Sequence, residues 1–373
     1  MLKAKDQNRI LLYRVMLCSL ILFANLYRQT NATFFLYSFF QIVFWILLIV
    51  VSLVWIAYIK VQFFNKKQIM LLFVIGCIAC YSLLFKDMNM FFLSIFCLFF
   101  FQLNSEEIIQ IYNWAIFITL IIFCLFSFIN ILPKWNNESL VLGFNNKNTA
   151  GYYILFVAFS LFFVNNRFTF VNYIAIFFSF ILEWHFVQDR TAAILLLLGI
   201  LLFIVPILKN KIIRIFIIFL PVFLIFISIF LIINFGKYLW INDIDKFLSW
   251  RISIWNNSWN VYNMNLLPQN INGILTIARD YSMWQQYTLS GFDGFFALGI
   301  LQDGLLLFIW IIINMTYLLY YYVKNFSINN RAIYILSIVF ILYNFTEKVS
   351  IVYFLCWLIP LAVHLEGETN NEK

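Results

Sequence analysis

Charge is the scarcest feature of this sequence: 11% of its 373 residues are Asp, Glu, Lys or Arg, against roughly 25% in an ordinary soluble domain. With 64% of the chain hydrophobic, no soluble core could hide so much apolar surface. Alternation of polar and apolar residues over segments of ~10 residues is missing as well, which excludes a membrane β-barrel. The apolar runs are apolar on every side, so their backbone must satisfy its own hydrogen bonds as helix. No basic run interleaved with aromatics lies outside these runs, and the net charge of +8 therefore does not imply nucleic acid. A glycine-rich phosphate loop and an HExxH metal pair are both lacking. Cysteine occurs six times, at Cys18, Cys77, Cys80, Cys97, Cys124 and Cys356, always inside an apolar stretch. These read as packing residues; Cys77 and Cys80 have CxxC spacing but no nearby histidine to complete a metal site.

Long hydrophobic runs are what the chain has in abundance. Thr33–Ile59, Ile108–Leu132 and Ile212–Phe235 each exceed the ~20 residues that carry a helix across ~30 Å of hydrocarbon. About twelve spans are expected in a single polytopic membrane domain over residues 1–373, at 10–27, 33–59, 69–85, 88–103, 108–132, 149–164, 168–186, 191–208, 212–235, 304–323, 331–346 and 349–365. The first follows Lys3, Lys5 and Arg9 without a small-residue cleavage site after it, so it reads as a retained helix. With the N-terminus inside, thirteen Lys and Arg fall on the cytoplasmic face and ten on the other, four of the ten in one long loop. That asymmetry supports a multi-pass plasma (inner) membrane protein with both termini cytoplasmic. Arg14, one turn inside the first span, is expected to snorkel toward the headgroups.

Two outer segments are long, Pro133–Asn148 and Gly236–Ser290, the latter between the ninth and tenth spans. The latter holds Trp240, Trp250, Trp255, Trp259 and Trp284 with two Arg and two Lys, a composition suited to amphipathic pieces lying on the membrane. Beyond it, Gly291–Leu301 is apolar except for Asp293 and runs through Gln302 and Asp303 into the next span, too long for one crossing. A short interfacial or re-entrant helix holding Asp293, and Asp303, near the outer surface is expected.

Four polar clusters share that outer face. The first, Gly143-Phe144-Asn145-Asn146-Lys147-Asn148-Thr149-Ala150-Gly151, leads into the sixth span, with Asn148 or Thr149 placed to cap it. The second gathers Glu183, His185, Asp189 and Arg190, where Arg190 has two carboxylates nearby and a fork of donors suited to phosphate, or serves as a headgroup anchor. Arg251 stands between Trp250 and Trp255 in the third, with Arg279 further along the loop. The fourth is Phe292-Asp293-Gly294-Phe295-Phe296 followed by Gln302-Asp303-Gly304, where a carboxylate at a membrane-facing cavity is a functional candidate. Asp243-Ile244-Asp245 has DxD form but reads as surface charge, facing away from cytoplasmic nucleotide sugars.

In order and spacing these clusters resemble the O-antigen ligase and Wzy-type polysaccharide polymerase superfamily, best over the second half of the chain. Gly143–Gly151 is similar to that family's Asn-rich motif, Asp189-Arg190-Thr191-Ala192 to its Arg-Thr/Ser helix start, and Arg251-Ile252-Ser253-Ile254-Trp255 to its Arg-x-x-x-Trp opening of the external loop. Phe292–Phe296 with Gln302–Gly304 is similar to the element that closes the loop. The resemblance implies a GT-C-like all-α fold and an inverting, metal-independent glycosyltransferase without cofactor, acting on undecaprenyl-diphosphate-linked oligosaccharide. It also implies membrane lipid as surroundings, and a chain-length regulator and a flippase as partners. A ligase's loop carries a histidine; this one has none, and Asp293 at the similar position favours a repeat-unit polymerase of O-antigen, capsule or exopolysaccharide.

On this reading Arg190, Arg251 and Arg279, with Lys147, Asn148 and Trp255, hold the diphosphate and glycan, because arginine donors stabilise the charge that grows on the leaving group. Asp293 is the expected base toward the acceptor hydroxyl, with Asp189 or Glu183 as substitutes. The competing readings are a ligase that moves a finished glycan to another acceptor and, from a different class, a lipid-linked oligosaccharide flippase. A flippase should show internal repeats and charges within the spans, and neither is evident.

Overall fold

The computed structural model describes residues 2–29, 34–58, 66–85, 88–101, 103–136, 139–144, 146–165, 170–269, 294–326, 331–347 and 357–368. They form an all-α protein. Five helices make the first half: α1 (Leu2–Gln29), α2 (Phe34–Tyr58), α3 (Lys66–Leu84), α4 (Met88–Phe100) and α5 (Ser105–Phe128). Asn104 starts α5 through a capping box, accepting the Glu107 N–H at 2.9 Å while the Glu107 carboxylate accepts the Asn104 N–H at 3.0 Å. Glu107 also pairs with Arg14 of α1. The ion pair ties the first helix to the fifth at the end toward which Arg14 is expected to snorkel, an arrangement less costly than a lone cation at that depth.

A short antiparallel ribbon, β1 (Trp135–Asn136) with β2 (Ser139–Leu140), precedes α6 (Lys147–Asn165) and α7 (Phe170–Ile181). The latter continues as a π-helical turn, Leu182–Val187, which ends on Gln188 in the left-handed region (φ 61°). Next come α8 (Arg190–Ile204), a 3-10 turn at Pro206–Lys209, α9 (Lys211–Ile218) and α10 (Leu220–Ile233). The single span expected over 212–235 is therefore broken, with a bend of 59° between α9 and α10. Pro221 has no N–H to give and its ring collides with the carbonyl four residues back, so the ladder cannot continue through Phe219.

Within the outer loop, α11 (Leu239–Phe247) and α12 (Arg251–Val261) are short helices. Then follow α13 (Phe295–Gln302), α14 (Gly304–Lys324), α15 (Arg331–Thr346) and α16 (Leu358–Glu368). The short helix expected before the tenth span is α13, and its apolar side chains Phe295, Phe296, Ala297 and Leu298 are buried. Asp303, expected near the outer surface, is buried at the junction of α13 and α14.

Among the described residues four helices are long and apolar enough to cross a membrane, Ile10–Arg28, Phe35–Ala57, Ser105–Phe128 and Gly304–Lys324, and the bent pair α9–α10 makes a fifth if taken as one span. The expected spans at 69–85, 88–103, 168–186, 191–208 and 331–346 coincide with apolar helices of 10–17 residues. The outside of the bundle is itself apolar: Phe35, Phe73 and Phe128 are 79%, 71% and 75% exposed, a surface that hydrocarbon rather than water would wet. Cys77 and Cys80, expected to pack, are exposed on that surface, whereas Cys97 is buried.

One helix pair orients everything that follows. Thr191, at the start of α8, meets Thr346, at the end of α15, with the hydroxyl oxygens 3.0 Å apart. At the other end, Arg331 of α15 donates from Nη2 to the carbonyls of Leu202 (3.0 Å) and Phe203 (2.6 Å) of α8. The two helices are antiparallel and bonded at both ends.

Candidate functional site

The site forms where α6 and α8 begin and α15 ends. Asp189 caps α8 by accepting the Ala192 N–H at 3.1 Å, which sets its carboxylate at the mouth of the helix. Tyr343, one turn before the end of α15, places its hydroxyl 3.1 Å from Asp189 Oδ2 and 2.8 Å from the Asn148 carbonyl. A phenol has one proton to donate: with Asp189 ionised, Tyr343 gives it to the carboxylate or to the carbonyl, and both contacts are satisfied together only when a protonated Asp189 donates to Tyr343.

Asn146, not Asn148 or Thr149, caps α6: its Oδ1 accepts from the Thr149 N–H at 2.7 Å and from the Thr149 hydroxyl at 2.9 Å. The helix begins two residues earlier than a cap at Asn148 requires, and this leaves the Asn148 side chain free to donate to Glu347 Oε2 at 2.6 Å. Glu347, just past α15 and fully buried, also pairs with Arg251. A continuous polar path therefore runs Asp189–Tyr343–Asn148–Glu347–Arg251.

Local backbone geometry aims Arg251. Ser249 and Trp250 both lie in the left-handed region (φ 57° and 66°), a turn that costs non-glycine residues ~1 kcal/mol or more each and persists only where surroundings enforce it. Asp245 enforces it: Oδ1 accepts the N–H groups of Ile252 (2.7 Å) and Ser253 (3.1 Å), the first turn of α12. The DxD therefore splits. Asp243 is exposed near Lys246, as expected of surface charge, but Asp245 is buried and holds the start of α12; its backbone partners offset part of its desolvation, because spacing alone does not say which acid of the pair turns inward.

Two glycines are required by close approach. A Cβ on Gly151 would fall on the Asp189 carboxylate, so α6 can pass Asp189 only here. Gly294, at φ 92°, lies where a Cβ would come within 2.7 Å of the Trp255 indole. That indole is buried against Gly294 and edge-on to Phe345, ring centroids 5.7 Å apart. Trp255, expected to touch a glycan, instead wedges α12 against α13 and α15, and Trp259 locks the wedge by donating from Nε1 to the Ala297 carbonyl at 2.8 Å.

The other expected residues sit as follows. Lys147, exposed at the start of α6, and Arg251 both draw the Asp189 carboxyl down electrostatically, yet burial outweighs them and lifts it to about 6 from its ordinary 3.8. Glu183, in the π-helical turn, is fully buried and neither of its oxygens has a hydrogen-bond partner. His185 and Arg190 are exposed. Arg279 and Asp293 lie outside the described residues. Of the three arginines expected to gather, Arg251 is in the network and Arg190 adjoins it through Asp189 but points outward. Glu347 is the member that sequence reasoning passed over; its signal was an acid at an outer turn between two apolar runs. Among the described residues no three His, Cys, Asp or Glu side chains come together as a metal-binding set.

Chemically the arrangement offers a buried carboxyl that changes protonation near neutrality, a tyrosine that shares its hydrogen bond, and cations within electrostatic reach. No family model matches the chain, and no curated protein and no solved structure is similar to it.

Proposed function

We propose that the chain is an oligosaccharide repeat-unit polymerase, joining undecaprenyl-diphosphate-linked glycans at the extracytoplasmic face of the membrane. One observation carries this reading: Asn148, Asp189 and Arg251, each from a different polar cluster of the sequence, meet in one buried network through Tyr343 and Glu347. Orientation is argued from charge. The antiparallel pair α8–α15 sets the network at one end, and Lys209, Lys211, Arg214, Lys324 and Arg331 gather toward the other, which the positive-inside tendency assigns to the cytoplasm. Twelve crossings with both termini cytoplasmic and a GT-C-like plan fit this orientation.

In the reaction, Arg251, with Lys147 and Arg190 at the neighbouring helix starts, grips the diphosphate, whose charge grows as the glycosidic bond breaks. Asp189, ionised above about pH 6, takes the proton of the acceptor hydroxyl as that oxygen bonds to the anomeric carbon. The bond from that carbon to the diphosphate breaks, its electron pair leaving on undecaprenyl diphosphate, and displacement from the far side inverts the centre. Asp189 takes this part because it is a buried carboxyl, lifted to about 6 and joined through Tyr343 to the network that holds Arg251; Asp293 remains the other candidate base. Tyr343 holds it toward the acceptor.

A second reading has an observation of its own. Three buried carboxylates, Glu183, Asp189 and Glu347, at one end of a helical bundle would also suit a proton-coupled transporter of lipid-linked glycans. The two separate in one assay, in which purified protein in liposomes receives single lipid-linked repeat units on its outer side. Polymerase activity yields a ladder of chain lengths, and Arg251→Lys, which keeps the charge but loses the planar fork, removes most of it. A wild-type ladder from Arg251→Lys at normal expression refutes the assignment. A ligase would instead pass a single finished glycan to a different acceptor.

A further inference from the structure

The opposite end of the α8–α15 pair holds a second set of buried polar groups, which glycan transfer does not use. Tyr334, one turn into α15 from Arg331, is 0% exposed and its hydroxyl has no hydrogen-bond partner. Arg214 of α9 lies over the Phe326 ring, 4.7 Å from its centroid, and that ring stands 6.0 Å from the ring of Tyr334. Arg331 itself stacks toward Phe203, 5.8 Å from its centroid. The Nε atoms of both arginines are buried and also lack a hydrogen-bond partner. Three donor atoms on two helices, Arg214 Nε on α9 and Arg331 Nε and the Tyr334 hydroxyl on α15, are thus buried at this end of the pair without an acceptor, although buried polar groups in proteins are nearly always paired.

We propose that this cluster binds the phosphate of an anionic phospholipid. An oxyanion supplies what the three donors lack: several acceptor oxygens and a negative charge to balance the guanidinium groups. Arginines that only marked the cytoplasmic face would turn their nitrogens to water, whereas here Nε is withdrawn from it. The source is a lipid because apolar surface adjoins the charge: Ile212, Ile215 and Phe216, neighbours of Arg214 on α9, are exposed and offer acyl chains a bed. The 59° bend from α10 turns α9 off the line of its span, as in a helix lying along the headgroups. Exposed Lys209, Lys211 and Lys324 add a basic rim that would draw anionic lipid to the site.

The test uses the full-length protein in detergent, with phosphatidylglycerol or phosphatidylcholine of matched chains titrated in. Retained lipid is counted by native mass spectrometry. The wild type should hold phosphatidylglycerol about tenfold more tightly, and Tyr334→Phe and Arg214→Gln should each cut that preference about fivefold, the loss of one charge-assisted hydrogen bond. Tyr334→Phe removes only an oxygen, so its folding is not in question, and Lys237→Gln at the other end should leave the preference intact. Unchanged preference in both variants overturns the site. Inorganic phosphate that displaces phosphatidylglycerol in the wild type overturns the lipid source in favour of a free anion. Glycan transfer is not read in this experiment, so its outcome is independent of the polymerase proposal.

Discussion

Asp189→Asn should make the protein more stable and inactive at once. The side chain keeps its shape and still accepts the Ala192 N–H, since Asn caps a helix as well as Asp does. What it loses is a charge that burial opposes: at 3% exposure, the carboxyl sits at about 6 against an ordinary 3.8. A lift of about two units at ~1.4 kcal/mol each means that ionised Asp189 costs the fold about 3 kcal/mol at neutral pH. Because the folded carboxyl binds its proton more tightly than the unfolded one, stability falls as pH rises from about 4 to about 6 and then levels off. The Asn variant has no such slope. Denaturation in micelles at pH 4 and pH 7.5 should show it up to about 3 kcal/mol more stable than wild type at the higher pH and near equality at the lower. Polymer formation, which in the wild type should rise with pH through about 6, should be lost in the variant at every pH. A variant less stable than wild type at pH 7.5 refutes the reasoning, for it would mean that Arg251 and Lys147 attract the carboxylate more than burial penalises it.

Arg251→Ala leaves Glu347 a buried carboxylate without its cation and should cost about 3–5 kcal/mol; adding Glu347→Gln should recover most of that, whereas additive losses in the double variant would show that the two are not coupled. Gly151→Ala should cost about 1–3 kcal/mol, because the new methyl displaces Asp189, and should lower glycan transfer at unchanged expression; wild-type melting and activity would show that α6 does not press on that carboxylate.

Runs of apolar residues announced the helices well where they were long and unbroken: α2 fills the span expected over 33–59 to within a residue at each end. The same signal misled over 212–235, since hydropathy is blind to a bend and only Pro221 marked it. The polar clusters stand out because the rest of the chain is so poor in charge, and Asn148, Asp189 and Arg251, one from each of three clusters, meet in one network. Glu347 was harder. Its partners lie 96 and 199 positions away, and a single acid at a turn looks like any solvated charge until the helices are packed. Asp245 was misjudged for the related reason that its neighbour Asp243 really is exposed. Spacing says that two residues share a motif, but not which of them turns inward. Trp255 followed the same rule, its aromatic ring serving the wedge between α12 and α13 rather than a ligand.

The double fastening of α8 to α15 also restricts how the gene can change. From Arg331 to Thr346 the helix rises about 22 Å, and one added residue would swing the far end by about 100° and lengthen it by about 1.5 Å. Arg331 could then reach Leu202 and Phe203, or Thr346 could reach Thr191, but not both. Point substitutions along the shaft leave this gauge intact, whereas a single-codon insertion or deletion anywhere between the two fastenings breaks it.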